Sequence, residues 1–439
     1  VIKRVLVIEF KAVTNKAQKV AIDEAIRTSR FVRNKVLRYW MDNKGVGKKE
    51  LYRYNTDLRA EFKFVEDLNS HACQASVENV ERAIHRFYDN CKKKIPGKKG
   101  YPRFKKSSRS VEYKTSGWKL CPDKKSVKFT DKKGIGKLKL KGTWDLWRFD
   151  VKLIKRVRIV SRADGYYVQF CVKVDNSETV ETTGKIIGLD VGLKDFYTDS
   201  NGYREPSPRF YRKGEKRLKF YQRRVSRKKT GKAVGHATRT ANRKKAINKL
   251  GKTHLKISRQ RQEHAKRLAR CVVRSRSVGF AESNDLVAYV RAACRRQDLR
   301  VKNFVKNHCL AKSINDAGWY QFRNWLEYFG TKFGKVTVAV NPAYTSQNCS
   351  NCGEEVKKSL STRTHICQCG CSLDSPKATL RERDHNAAIN ILNRALSTVG
   401  HTGTWTIISP NAGGDRASTV LGENQVQQAG SLNRESPSF

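Results

Sequence analysis

The sequence predicts an α+β chain of several domains, and three observations carry that prediction. Short β-like runs stand on both sides of a long helical block. Further on, an apolar run ending in an acid, KIIGLD, leads into a second strand, with helices and another strand downstream. Near the C-terminus, two cysteine clusters precede an Ala-rich apolar helix. With 439 residues, the chain is long enough for roughly two to four units, each with its own core.

Taken in order, residues 1–11 (VIKRVLVIEFK) read as a strand. From Lys16 to about Asn43, Val20, Ile22, Ala25, Ile26, Phe31, Val32, Val36, Leu37 and Trp40 recur at helical spacing, and residues 50–93 continue in the same texture. KKKIPGKKGYPRFKKSSRS is a Gly/Pro/Lys break. From about Val111 to Val174 the runs SVEYKT, SVKFT, KLKL, RVRIVSR and YYVQFCVKV predict strands, so the helical block is inserted into a β module. The polar stretch around Asn176–Gly184 predicts a domain boundary. KIIGLDVGLKDFYTDSNG then predicts a strand, an Asp at its end and a second strand. Residues 212–276 hold 25 Lys/Arg and only two acids, Glu215 and Glu263, around narrow apolar stripes. That pattern predicts two long helices whose outer faces track phosphates. A helix near Leu310–Phe329 and the buried strand VTVAV follow. The Gly/Thr/Ser/Asn/Gln-rich tail from about Thr398 has the composition of a poorly ordered segment.

Composition narrows the function classes. Lys+Arg total 92 against 40 Asp+Glu, a formal charge of +52. Such an excess points to a polyanionic partner. Nucleic acid is favoured over a membrane surface, because no lipidation signal, basic amphipathic segment or apolar run of about 18 residues is present. The 12 cysteines cluster as C-x-x-C and C-x-C or lie singly in helical stretches, which fits a reducing compartment better than a disulfide scaffold. The chain is therefore expected to be intracellular and cytoplasmic.

Two constellations carry chemistry. Cys349 and Cys352 form a C-x-x-C-G knuckle, and Cys367, Cys369 and Cys371 follow about fifteen residues later, the layout of a four-ligand structural zinc ribbon. Asp190 closes the strand IIGLD, and Asp384 opens the helix of Ala387, Ala388, Ile389, Ile391 and Leu392. Phosphodiester hydrolysis by two divalent ions needs carboxylates converging from separate elements. The pair fits that need, although an Asp opening a helix is by itself more often a cap.

The segments GLDVGLKDFYTDSNG, DLRVKNFVKNHCLAKSINDAGW, YTSQNCSNCG and RDHNAAINIL closely resemble the TnpB family, the transposon-encoded RNA-guided nucleases regarded as ancestors of type V CRISPR effectors. The resemblance covers roughly residues 1–400, including IRTSRFVRNKVLRYW and GYPRFK. It implies an oligonucleotide-binding β-barrel (wedge) from residues 1–11 and 94–180, with a helical recognition domain at 12–93. A RuvC-like, RNase H-type nuclease domain would span 184–340 and 375–400, with a zinc ribbon at 341–374. Residues 401–439 would be a disordered tail. The implied partners are a guide RNA derived from the transposon end and a double-stranded target DNA beside a short recognised motif. The implied cofactors are Mg²⁺ or Mn²⁺ at the nuclease site and structural Zn²⁺.

The family's nuclease uses an Asp–Glu–Asp triad. Asp190 matches its first position and Asp384 its last. The family's Glu directly precedes an Asp-Leu pair and a segment like RVKNFVKNH, which falls on Gln297 here, an amide without the charge a metal ligand needs. Glu282 is the alternative, since VGFAE (278–282) reads as a strand ending in an acid before Asp285-Leu286. A nuclease with Glu282, or an RNA-guided DNA-binding protein impaired at Gln297, are both open. The run SPKATLRE, inserted between Asp374 and Arg383-Asp384, is a further departure from the family pattern. In the cysteine module, Cys369-Gly370 matches the family's closing Cys-Gly, with Cys367 its partner and Cys371 or His365 as substitutes. Arg30, Phe31, Arg33, Asn34, Lys35, Arg38, Tyr39 and Trp40 are candidates for phosphate contact and stacking. Tyr52, Tyr54 and Tyr101 are further stacking candidates, and Phe104 is expected in the core.

Overall fold

The structure, a computed structural model, describes residues 4–142, 146–174, 177–178, 180, 184–228, 231–233, 236–238, 240–274, 284–290, 308–359, 362–369 and 382–399. It divides into two compact units, with the boundary after Asn176.

In the first unit, β1 (Arg4–Val13) leads into α1 (Lys16–Asp42). A capping box opens α1: Asn15 Oδ1 accepts from the Gln18 N–H at 2.7 Å, and the Gln18 side chain accepts from the Asn15 N–H at 3.2 Å. Then come α2 (Lys48–Glu61), α3 (Lys63–Glu66) and α4 (Ser70–Lys92). The chain returns as β2 (Ser110–Lys114), β3 (Trp118–Leu120), β4 (Ser126–Phe129), β5 (Lys137–Lys141), β6 (Ile154–Arg162) and β7 (Gly165–Val174). These strands form one antiparallel sheet in the order β2-β6-β7-β1-β5-β4-β3. β1 therefore joins strands that lie beyond the helical block in sequence. It pairs with β7 from Arg4↔Val174 to Lys11↔Tyr167, and its last residues pair with β5. Apolar residues from helices and sheet, among them Val36, Leu37, Leu58, Val80, Ile8, Val157 and Phe170, share one core.

A partly buried ion network ties helix to sheet in this unit. Glu112 on β2 accepts from Arg156 at 2.5 Å and Arg158 at 2.8 Å, and Arg156 reaches Glu78 on α4 at 2.8 Å. Burial alone would push the Glu112 carboxyl up, but the two guanidinium groups hold it below the usual carboxylate range. Its contribution is thus present above the unfolded carboxylate value and lost as pH falls below it.

The second unit begins its sheet with β8 (Lys185–Val191), β9 (Asp195–Asp199) and β10 (Arg204–Pro206). Helix α5 (Phe210–Arg227), a hairpin of β11 (Gly231–Ala233) and β12 (His236–Thr238), and α6 (Ala241–Arg274) follow. Next are β13 (Asn284–Val290), α7 (His308–Ala317), α8 (Trp319–Lys332), β14 (Val336–Val340) and α9 (Arg383–Val399). The five-stranded sheet runs β10-β9-β8-β13-β14. β8, β13 and β14 are parallel, while β9 and β10 are antiparallel additions on one edge. Residues 278–282, expected as a strand, lie outside the described residues. The strand seen in the sheet is β13, which begins at Asn284. Ala265, Ala269 and Val273 of α6 pack with Phe322, Leu326 and Phe329 of α8 against Leu189, Val287 and Tyr289 of the sheet.

Among the described residues, no helix is long and apolar enough to cross a membrane.

Candidate metal centres and nucleic-acid surface

Asp190 stands at the C-terminal end of β8, where the chain must turn sharply into β9. A Cβ on Gly192 would lie 2.9 Å from the Asp195 carbonyl oxygen, so glycine permits that turn. Two residues before Asp190, β8 meets α9. A Cβ on Gly188 would collide with the Ala388 carbonyl oxygen and lie 2.9 Å from Leu392 Cβ. Only the missing side chain lets the helix backbone press onto the strand this closely. One turn before Ala388, that approach brings Asp384 to the end of β8. Burial, reinforced by the Asp384 charge, pushes the Asp190 carboxyl up to about 7, with Arg383 opposing. A buried carboxyl that resists ionisation beside a second carboxylate fits a divalent cation, which would supply the missing positive charge.

Asp384 is also held from the side. Arg383 Nε lies 3.2 Å from its Oδ1 and Arg363 Nη1 lies 3.4 Å from its Oδ2. Arg363 belongs to the cysteine module, whose second arm pairs with the entry to α9: Thr364 bridges Glu382, and the Arg383 N–H donates to the Arg363 carbonyl at 2.7 Å.

The four sulfurs of Cys349, Cys352, Cys367 and Cys369 all lie within 4.8 Å of one another. Cys349 and Cys369 are 3.7 Å apart, and Cys352 and Cys367 are 3.5 Å apart. A tetrahedral ion with metal–sulfur bonds of about 2.3 Å requires sulfurs about 3.8 Å apart, so the set fits zinc with all positions filled by protein. Cys371 lies outside the described residues. His365 is buried beside Lys358, with its Nδ1 against the ammonium, and is not among these four ligand atoms.

A row of polar side chains on α9 grips the first knuckle. The Ser350 N–H donates to Asn386 Oδ1 at 2.9 Å, and Asn386 Nδ2 donates to the Asn348 carbonyl at 2.7 Å. One turn on, Asn390 Nδ2 donates to the carbonyls of Asn348 (2.7 Å) and Thr345 (2.9 Å). A turn further, Arg394 donates to the carbonyls of Ala343 (2.5 Å) and Asn341 (3.2 Å).

Two family models match this chain: the one described as "Cas12f1-like, TNB domain" over residues 319–391, and the one described as "Probable transposase" over residues 169–277. Two bacterial proteins that carry the name "Putative RNA-guided DNA endonuclease" are similar along most of their length. The one from Streptomyces pristinaespiralis is 28% identical over 342 residues, covering 77% of this chain and 74% of the relative. The other, InsQ from Escherichia coli K12, is 25% identical over 375 residues, covering 83% and 88%. A TnpB-like protein of Acanthamoeba polyphaga mimivirus is 34% identical over 95 residues, 21% of this chain and 16% of that one. These matches support the TnpB family for this chain.

Glu282 and Gln297 lie outside the described residues. The side chains expected to touch nucleic acid on α1 are engaged internally. Arg30 donates to the Lys106 carbonyl at 2.6 Å and Arg33 to that of Arg103 at 3.2 Å, while Asn34 exchanges two bonds with the Lys105 backbone, both 3.0 Å. Tyr39 and Tyr54 stack on each other, 4.2 Å between centroids. These contacts clamp the backbone of Arg103–Lys106 and leave its side chains outward. Phe104, expected in the core, is 45% exposed, because the segment it belongs to lies across α1 rather than beneath it. Arg103, Lys105 and Lys106 are exposed beside it, so the basic-aromatic surface is the clamped segment more than the helix under it. On α5, Phe220 is exposed with the Arg224 guanidinium 5.4 Å from its ring.

Sequence reasoning missed Arg363, Gly188 and the row on α9. Asn386, Asn390 and Arg394, four residues apart on an otherwise apolar helix, were the available signal. The approach at Gly188 left no comparable trace.

Proposed function

We propose that this chain is an RNA-guided DNA endonuclease of the TnpB type, which binds a guide RNA from its transposon end and recognises a short motif beside a DNA target. The meeting of Asp190 and Asp384, with Asp190 raised to about 7, is the observation that carries it. The sheet order, with antiparallel strands on one side of β8 and parallel strands on the other, supports an RNase H-type domain at 184–340 and 375–400. In this reading residues 1–11 and 94–180 are the wedge, 12–93 the recognition helices and 341–374 the zinc ribbon. Mg²⁺ or Mn²⁺ bound between the carboxylates would stabilise the attacking and leaving oxygens of the phosphodiester. The chain's own part is to hold Asp190 on a rigid strand end and Asp384 on the helix it meets. Arg383 and Arg363 offset their charge.

The register of β13 favours a second reading, in which guided binding persists and cutting is impaired. Asn284 lies beside Lys185 and Tyr289 beside Leu189, so the end of β13 at Val290 is the end adjacent to Asp190. An acid offered there would have to follow Val290, and the first one in the sequence is Asp298, directly after Gln297. Glu282 precedes the start of the strand.

Plasmid cleavage in Mg²⁺ by the protein co-expressed with its element's RNA end tests both readings. Guide-dependent double-strand cuts, abolished in Asp190→Ala with guided binding retained, are expected of the nuclease, and loss of cutting in Glu282→Ala would put the third carboxylate there. Guided binding with no cuts by the unaltered protein would establish the second reading. Absence of guided binding would sink both.

A further inference from the structure

The cysteine module touches α9 on two sides of Asp384. From the first knuckle, the carbonyls of Asn341, Ala343, Thr345 and Asn348 and the N–H of Ser350 are taken up by Asn386, Asn390 and Arg394. From the second arm, Arg363 reaches the Asp384 carboxylate while its carbonyl accepts from the Arg383 N–H. Asn386 and Asn390 are buried, and a buried amide that lost its partners would be left unsatisfied away from water. The gripped loop is also conformationally demanding: Tyr344 sits at φ 60°, in the left-handed region that ordinary side chains adopt only when neighbouring contacts hold them there. Those contacts are the Arg394 and Asn390 bonds to the carbonyls on either side of it.

We infer that Asn386, Asn390 and Arg394 are positioning residues that make the four-cysteine module part of the mounting of Asp384. Ordering the knuckle by metal then orders the first turn of α9. With all four of its positions filled by thiolates, such an ion would have no position open to substrate, and the module acts on the carboxylate pair through this row. Loss of that ion loosens the knuckle, the row loses its partners, and Asp384 is no longer held against Asp190. This rests on the proposed role of the carboxylate pair only for its consequence, since the joint itself is a matter of the fold.

Hydrogen exchange and Mn²⁺ binding on the full chain, neither of which requires cleavage, test it. Removing zinc from the unaltered protein with a chelator, then dialysing the chelator away, should speed exchange in residues 383–387 at least tenfold. β8 and β9 should keep their protection. The Asn386→Ala/Asn390→Ala double variant should do the same with its zinc retained, and Mn²⁺ affinity should fall at least tenfold in both. Asn386→Asp keeps an acceptor for the Ser350 N–H and should restore that amide's protection. Exchange in 383–387 that stays within twofold after zinc removal overturns the inference, and this arm alters no residue that could unfold the chain. Mn²⁺ binding that survives Asp384→Ala would instead sink the divalent-ion reading, leaving exchange to decide the joint.

Discussion

Asp190 illustrates how a single side chain records its surroundings. Its carboxyl titrates at about 7 because burial and a neighbouring carboxylate disfavour its charge. In the unfolded chain the same group would lose its proton at about 4. Between those values the folded state holds a proton that the unfolded state does not, so stability falls as pH rises from about 4 to about 7. Without added divalent ions, the second unit should melt at a lower temperature at pH 8 than at pH 5. Asp190→Asn, which cannot ionise, should flatten that dependence by an amount worth roughly 2–4 kcal/mol. Thermal melts at the two pH values measure it, and a dependence unchanged in the variant would mean that Asp190 is not held in this way. Added Mg²⁺ should raise the pH 8 melting temperature of the unaltered protein and leave that of Asp190→Asn nearly unmoved.

At the scale of elements, one crossing decides the site. Helix α9 lies on β8 only because Gly188 has no side chain. Gly188→Ala forces the helix away from the strand, at a cost of about 2–3 kcal/mol from overpacking. Because the collision is with helix backbone, it cannot be relieved by a rotamer change. Mn²⁺ binding at the carboxylate pair should weaken more than tenfold in that variant while the zinc content stays unchanged. Equal Mn²⁺ affinity in Gly188→Ala and the unaltered chain would refute this account of the crossing. The clamp of α1 on Arg103–Lys106 is a second case. Basic residues that sequence alone marks as phosphate contacts are consumed in holding another basic segment outward.

For the whole molecule, the proposed function together with the charge of +52 would make phosphate neutralisation the main source of nucleic-acid affinity. Roughly six to ten phosphate contacts imply a loss of about 10³–10⁵ in affinity between 50 and 200 mM salt. Replacing Lys216, Arg223 and Arg227 of α5 by Ala should lower the slope of log K against log salt by about 2–3 for guide RNA. Filter binding across a salt series gives that slope, and an unchanged value would remove α5 from the RNA surface.

The sequence by itself determined the kinds of element and the chemistry available to them. The runs from SVEYKT to YYVQFCVKV recur as strands, and helical spacing marked α1, α4, α5 and α6, because alternation and 3.6-residue periodicity are local properties. Asp190, Asp384 and the cysteines were legible because each is set off by its neighbours: an apolar strand, an apolar helix, a C-x-x-C-G turn. Which of these meet was decided by tertiary structure alone. The pairing of β1 with β7, the placing of β13 at Asn284–Val290, the clamping of Arg103–Lys106 and the grip of α9 on the knuckle all join residues far apart in sequence. Such contacts depend on where whole faces pack and which backbone groups then need partners, and no window of adjacent residues contains that information.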